Sequence, residues 1–160
     1  LQPVDMVLHS AVHLFYDGEL INGLRDLVDL ADMFDHFGAH AGFWDELMQR
    51  ARLQDLQRPL FYAMRYTGYL LEASIPAAAM TDIAAAAPST PVLAVMDRLI
   101  SLVMVPDHPD YPLRRTAMAR WLLYVRSHWL RMPPGLLLKH LVRKQIMRWK
   151  RRRPASAATA

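Results

Sequence analysis

The fold class is decided by residues 3–18, which read PVDMVLHSAVHLFYDG. Pro3 suits the first position of a helix, where its missing N–H is not needed. The apolar residues of the stretch recur at helical spacing rather than in alternation; they are Val4, Val7, Leu8, Ala11, Val12, Leu14 and Phe15. The stretch therefore predicts a helix from Pro3 to about Tyr16, which Asp17 and Gly18 end.

The same periodicity predicts six further helices, and no segment alternates as a strand would. We expect them over about residues 21–37, 44–51, 59–71, 91–104, 113–132 and 135–151. The first two should form an antiparallel hairpin, because Asp17 and Gly18 leave only a short turn between them. The fold class is therefore all-α, with about seven helices, in which the hairpin packs in a bundle with a basic C-terminal helix pair.

Charge divides the chain sharply. Residues 1–110 hold all 15 acidic residues and six basic ones, whereas residues 111–160 hold 13 basic residues and no acidic one. Together with composition, this predicts an acidic helical subdomain (residues 1–75), an Ala- and Pro-rich connector with at most one short helical piece (76–91), a basic helical part (92–153) and a disordered tail (154–160). The basic half suits phosphates, anionic lipid or an acidic protein surface.

The composition also excludes several classes of function. The absence of cysteine excludes disulfides, thiolate metal sites and cysteine nucleophiles. The sequence contains no P-loop, no GxGxxG, no GxSxG and no Asp-x-Asp pair, so we expect no catalytic centre. Charges interrupt every apolar run before the length of about 18 residues that spans a bilayer, and a cytoplasmic protein is expected. The first residues resemble neither a natural start nor a signal peptide, which suggests a piece of a longer protein.

A stripe of titratable residues follows the first predicted helix. Asp5, His9, His13 and Asp17 recur every four residues and so share one face. A His pair at this spacing can ligate a metal ion, but the Glu that would complete a hydrolytic zinc helix is replaced by Ser10. No metal ligands are therefore assigned.

The second predicted helix carries acids that could meet this stripe. Asp26, Asp29 and Asp32 follow at three-residue spacing, so the hairpin could bring imidazoles against carboxylates. The simplest interpretation is hydrogen-bonded histidines beside solvated acids. The alternative is that His9, His13, Asp26 and Asp29 contact a ligand or another domain.

Two more groups of residues are candidates for binding. Arg65 lies among tyrosines at helical spacing in the fourth predicted helix. Such a row of side chains could stack on a base and contact a phosphate. The alternative is that it forms the solvent-exposed edge of the hydrophobic core. The last predicted helix has an apolar face flanked by a basic surface, formed by Lys139, Arg143, Lys144, Arg148 and Lys150. A merely solvated basic end has the same composition.

Two pieces of the N-terminal region carry a family likeness. They are residues 5–19, DMVLHSAVHLFYDGE, and residues 23–30, GLRDLVDL. Together they resemble the helical region of the uncharacterised nucleotidyltransferase family of bacteria, in which a His-bearing helix precedes a Leu-rich helix with an Arg and an Asp. The positions that match are His9, His13, Arg25 and Asp29. A looser likeness brings the resemblance to about the first 75 residues.

The resemblance implies that this chain is the C-terminal helical region of a transferase whose nucleotidyltransferase domain lies upstream and is its partner. Mg²⁺ and a nucleoside triphosphate are implied for that domain, and no cofactor is expected in this chain. The catalytic residues match no position here, so the helical region should be inactive alone. The alternative is a non-enzymatic module that binds an acidic protein, an anionic membrane surface or nucleic acid through its basic half, although no firm nucleic-acid signal is present.

Overall fold

The computed structural model describes residues 2–16, 20–104 and 113–131, together with Gly135 and Arg143. These residues form helices joined by turns and irregular segments and contain no strand, which confirms the all-α class. The described helices are α1 (Pro3–Tyr16), α2 (Gly23–Gly38), α3 (Phe43–Leu53), α4 (Gln57–Leu71), α5 (Ala77–Ile83), α6 (Thr90–Val103) and α7 (Leu113–Arg131). The helix predicted over residues 135–151 and the predicted tail lie outside the described residues, apart from Gly135 and Arg143, which are helical.

The chain divides into two compact units, Leu1–Ser127 and His128–Ala160. In the first unit, α1 packs against α2, α3 and α4. The side chains most completely buried there are large and apolar or aromatic; among them are Leu8, Leu14, Leu27, Leu30, Phe34, Leu47, Leu60, Tyr62, Met64 and Ile100. Each such side chain contributes roughly 1.5–3 kcal/mol when it leaves water, so this cluster accounts for the bundle.

The turn between α2 and α3 depends on small residues. Gly42 has φ +81°, a left-handed conformation that a side chain would strain, and it immediately precedes α3. Gly38 ends α2 directly beneath the indole ring of Trp44, whose Nε1 donates to the Gly38 carbonyl oxygen at 3.3 Å. The indole also stacks on Phe34, with ring centroids 5.5 Å apart. These contacts fix the direction in which α3 leaves α2.

The segment predicted as a connector contains α5 and a short 3₁₀ turn, Ala84–Ala86. Ala79 and Ile83 are buried, and α5 packs against α3 and α4. Arg52 of α3 also forms an ion pair with Asp82 of α5. This part of residues 76–91 is thus packed on the bundle, while the division into subdomains stays a prediction.

Among the described residues, none of the helices is long and apolar enough to cross a membrane alone. Residues Ala77–Ala86 and Thr90–Val103 pass that test only when taken together, and they are bent by 115° at the break between them.

Candidate functional site

A cleft opens beside the N-terminal helix, between α1 and α3, with a volume of about 420 Å³. Arg50 spans one side of it. One of its guanidinium nitrogens donates to the Asp5 carboxylate at 2.9 Å and the other donates to Gln2 Oε1 at 2.9 Å. Both side chains of the ion pair are partly exposed, at 31% for Arg50 and 26% for Asp5. The cleft therefore has on its wall an Arg50–Asp5 ion pair that remains within reach of solvent.

His9 lines this same cleft, together with Leu8, Val12, Gln54 and Leu56. Its imidazole is exposed and, within the described part of the chain, makes no hydrogen bond or ion pair with the acids of α2. The expected tie between His9 and those acids is therefore not formed. The reason is geometric, since the polar face of α1 that carries Asp5 and His9 borders α3 rather than α2.

The other residues of the predicted stripe are also at the surface. His13 and Asp29 are exposed, and Asp26 is half-buried. Neither Asp26 nor Asp29 has an ion-pair partner among the described residues. In those residues, no group of three His, Asp or Glu side chains is arranged to hold a metal ion. The candidate ligand or interdomain contacts on α1 and α2 therefore share one property, which is accessibility.

Arg65 has a different environment, because its guanidinium is held by a carboxylate of α6. Nε and a terminal nitrogen of Arg65 donate to the two oxygens of Asp97 at 2.9 and 2.8 Å, which is a bidentate pair. The hydroxyl of Tyr66 donates to the same carboxylate at 3.1 Å. A phosphate would have to compete with Asp97 for this guanidinium, and the sequence alone could not show that α6 brings Asp97 here.

These contacts shift the pKa values of Arg65, Tyr66 and Asp97. The hydrogen bond from Arg65 lowers the pKa of Asp97, and the hydrogen bond to Asp97 raises the pKa of Arg65. Burial, followed by the charge of Asp97, raises the pKa of Tyr66 well above its ordinary value. Each shift favours the charge state that the network needs, namely an ionised Arg65–Asp97 pair and a neutral Tyr66.

The aromatic row of α4 is mostly part of the core. Tyr62 and Tyr66 are 0% and 1% exposed, their rings lie parallel with centroids 5.9 Å apart, and each contacts Phe15 of α1. The guanidinium of Arg126 lies 5.3 Å from the Tyr62 ring centroid. Only Tyr69, at 71% exposed, could offer a ring to a ligand from this row. The arrangement matches the core-edge interpretation of the row.

A second cleft, of about 350 Å³, lies where α3, α4 and α5 meet. Arg52, Arg58, Asp55 and Asp82 line it, and two of these, Arg52 and Asp82, are paired with each other. The sequence did not predict this cleft, because Asp82 lies in a segment that was interpreted as a connector. Its two cations and two anions give it no net charge.

Most of the predicted basic surface lies outside the described residues. Lys139, Lys144, Arg148 and Lys150 lie outside the described residues, whereas Arg143 is helical and exposed.

The described elements are thus helical, and polar, accessible side chains lie on both α1 and α2. Residues 1–72 match the family model described as uncharacterised nucleotidyltransferase, and this confirms the resemblance seen in the sequence. The match lies in the N-terminal part of this chain and covers α1 to α4. The chain matches no curated protein and no solved structure.

Proposed function

We propose that this chain is the helical part of a nucleotidyltransferase-like protein, in which another domain holds Mg²⁺ and the nucleoside triphosphate. In this proposal the helical part helps to close over the substrate or to position the catalytic domain, and exposed polar side chains of α1 and α2 make the contact. The family match over residues 1–72 supports the relationship to nucleotidyltransferases. A cytoplasmic location, where nucleoside triphosphates are made and used, belongs to the same proposal.

One observation carries the proposal. The four positions that match the family pattern, His9, His13, Arg25 and Asp29, are all exposed. Exposed side chains contribute little to the packing of the core, so core packing does not account for their match to the pattern. Contact with a ligand or another domain does account for it.

The chemistry of these side chains fits such a contact. Imidazole N–H groups can donate to phosphate or acceptor oxygens, and a guanidinium such as that of Arg25 can neutralise phosphate charge. Positioning of this kind lowers the barrier of phosphoryl transfer without covalent participation of the helical domain.

The test measures transfer of labelled nucleotide in the presence of magnesium, using this chain alone and a longer protein that includes the catalytic domain. We expect transfer only by the longer protein, and a loss of activity in its His13→Ala and Asp29→Asn variants. Asp32→Asn is the matched control, because Asp32 lies one turn further along α2 and is also exposed but lies outside the pattern. Transfer by this chain alone, or equal activity in all three variants, would contradict the proposal.

A second candidate function is a non-enzymatic interaction module that binds anionic partners through its basic half. The segregation of charge favours it, since residues 111–160 contain 13 basic residues and no acid. Binding of this kind should weaken steeply as salt is added, because released counterions drive it. Salt-insensitive binding, or none, would contradict it.

A further inference from the structure

Helix α7 buries three small or polar residues and one leucine, and it exposes several large apolar residues. In the first compact unit its buried residues are Thr116, Ala119, Leu123 and Ser127. Met118, Trp121 and Leu122 face outward, with 61%, 51% and 39% of their surfaces exposed. Large apolar side chains that lie close together and are exposed to solvent are typical of a binding surface.

The outward residues form one stripe along the helix. Trp121 and Leu122 follow Met118 by three and four residues, so the three side chains are neighbours on one face. Trp is enriched where an apolar phase meets water, because its ring is apolar and its N–H is polar.

Basic residues accompany this stripe. Arg114 and Arg115, one turn before Met118, are exposed, and the whole of residues 111–160 lacks any acidic side chain. The exposed face of α7 is therefore both apolar and cationic. An anionic membrane surface is complementary to both properties, and a stripe one helix wide needs no shaped pocket to lie upon it.

We infer that α7 binds an anionic membrane surface, with Met118, Trp121 and Leu122 entering the headgroup region and the two arginines contacting lipid phosphates. The contact is peripheral, with the helix lying along the surface. This proposal sharpens the second candidate function and does not depend on nucleotidyl transfer. The transfer assay can therefore fail while membrane binding stands, and the reverse also holds.

The experiment is cosedimentation of the full chain with vesicles of phosphatidylcholine, with and without phosphatidylglycerol. We expect binding only to the anionic vesicles. The double substitution Arg114→Gln and Arg115→Gln should weaken binding to the anionic vesicles roughly 25-fold, because each charge removed near the surface weakens binding about fivefold. Trp121→Ala should weaken it roughly tenfold through lost apolar burial. Circular dichroism confirms that each variant is folded.

The matched controls are exposed residues of the same kinds in the acidic part of the chain. Arg98→Gln on α6 and Tyr69→Ala on α4 should bind as the parent does. Absence of binding to anionic vesicles would overturn the inference. So would binding that Trp121→Ala leaves unchanged, or equal losses in the controls. Binding to polyglutamate without binding to vesicles would assign the face to an acidic protein instead, and this outcome also overturns it.

Discussion

The network of Arg65, Tyr66 and Asp97 provides the most quantitative test of the fold. It joins α4 to α6, and its carboxylate accepts two hydrogen bonds from Arg65 and one from the Tyr66 hydroxyl. The substitution Asp97→Ala removes all three. We expect a stable protein to result, but one with a lower free energy of unfolding.

The size of that loss follows from two contributions. The ion pair is about one third exposed, with side chains 35% and 32% accessible, so solvent screening limits it to about 1 kcal/mol. The hydroxyl of the almost fully buried Tyr66 would lose its acceptor, which costs about 1–3 kcal/mol. Together they predict a loss of about 2–3 kcal/mol, or roughly 5–10 °C in melting temperature for a chain of this size.

Urea unfolding of single and double variants measures this. Asp82→Ala is the matched control, because the exposed Arg52–Asp82 pair involves no buried hydroxyl and should cost less than about 1 kcal/mol. In the Asp97→Ala background, Tyr66→Phe should lower the free energy of unfolding much less than it does in the parent protein, because the hydroxyl already lacks its acceptor. Additive effects of Asp97→Ala and Tyr66→Phe would contradict this prediction. Equal losses of unfolding free energy for Asp97→Ala and Asp82→Ala would also contradict it.

The same network sets a pH dependence at the acid end. The pKa of Asp97 in the folded protein is lowered from its ordinary value of 3.8, mainly by the hydrogen bond from Arg65. Its contribution is therefore present above pH 3.8 and is lost as pH falls towards the lowered value. Below about pH 4, the stability of Asp97→Ala should accordingly fall less steeply than that of the parent.

Four further outcomes are expected. Because the pKa of Tyr66 is raised in the folded state, stability should decline above pH 10, and Tyr66→Phe should flatten that decline in alkaline unfolding curves. Gly38→Ala should cost about 1–2 kcal/mol in urea, since a Cβ would come within 2.9 Å of the Trp44 ring; a gain in stability would contradict this. Deleting residues 151–160 should leave the melting temperature nearly unchanged, and a large decrease would show that the tail packs into the core. Metal analysis of untagged protein should find no stoichiometric zinc, whereas an ion lost in His13→Ala would disprove this.

Local sequence was sufficient for most helices. The predicted span of α1 agrees with the observed Pro3–Tyr16, and α2, predicted to end at about residue 37, ends at Gly38. Helical spacing of apolar residues and Pro or Gly at the ends are properties that neighbouring residues determine among themselves. The start of α4 differs by two residues from the expected Pro59, because Pro is tolerated throughout the first turn of a helix.

The candidate site was predictable only as a set of residue types. The sequence identified His9 and its stripe as polar and on one helix face, but it expected α2 to provide the partners. The structure places Arg50 of α3 beside Asp5 instead, across 45 positions of sequence. Which helix borders a given face depends on how whole helices pack, and no local pattern encodes that.

Four features followed from the sequence alone, namely the all-α class, the ends of several helices, the segregation of charge and the resemblance over its first part. Each of these features depends on composition or on neighbours within a few residues. Only the tertiary structure decided that Arg65 is held by Asp97, that Tyr62 and Tyr66 are buried, and that Trp121 is exposed. Apolar and aromatic residues at helical spacing fit a core and a surface stripe equally well. The packing of distant helices determines which of the two each residue joins.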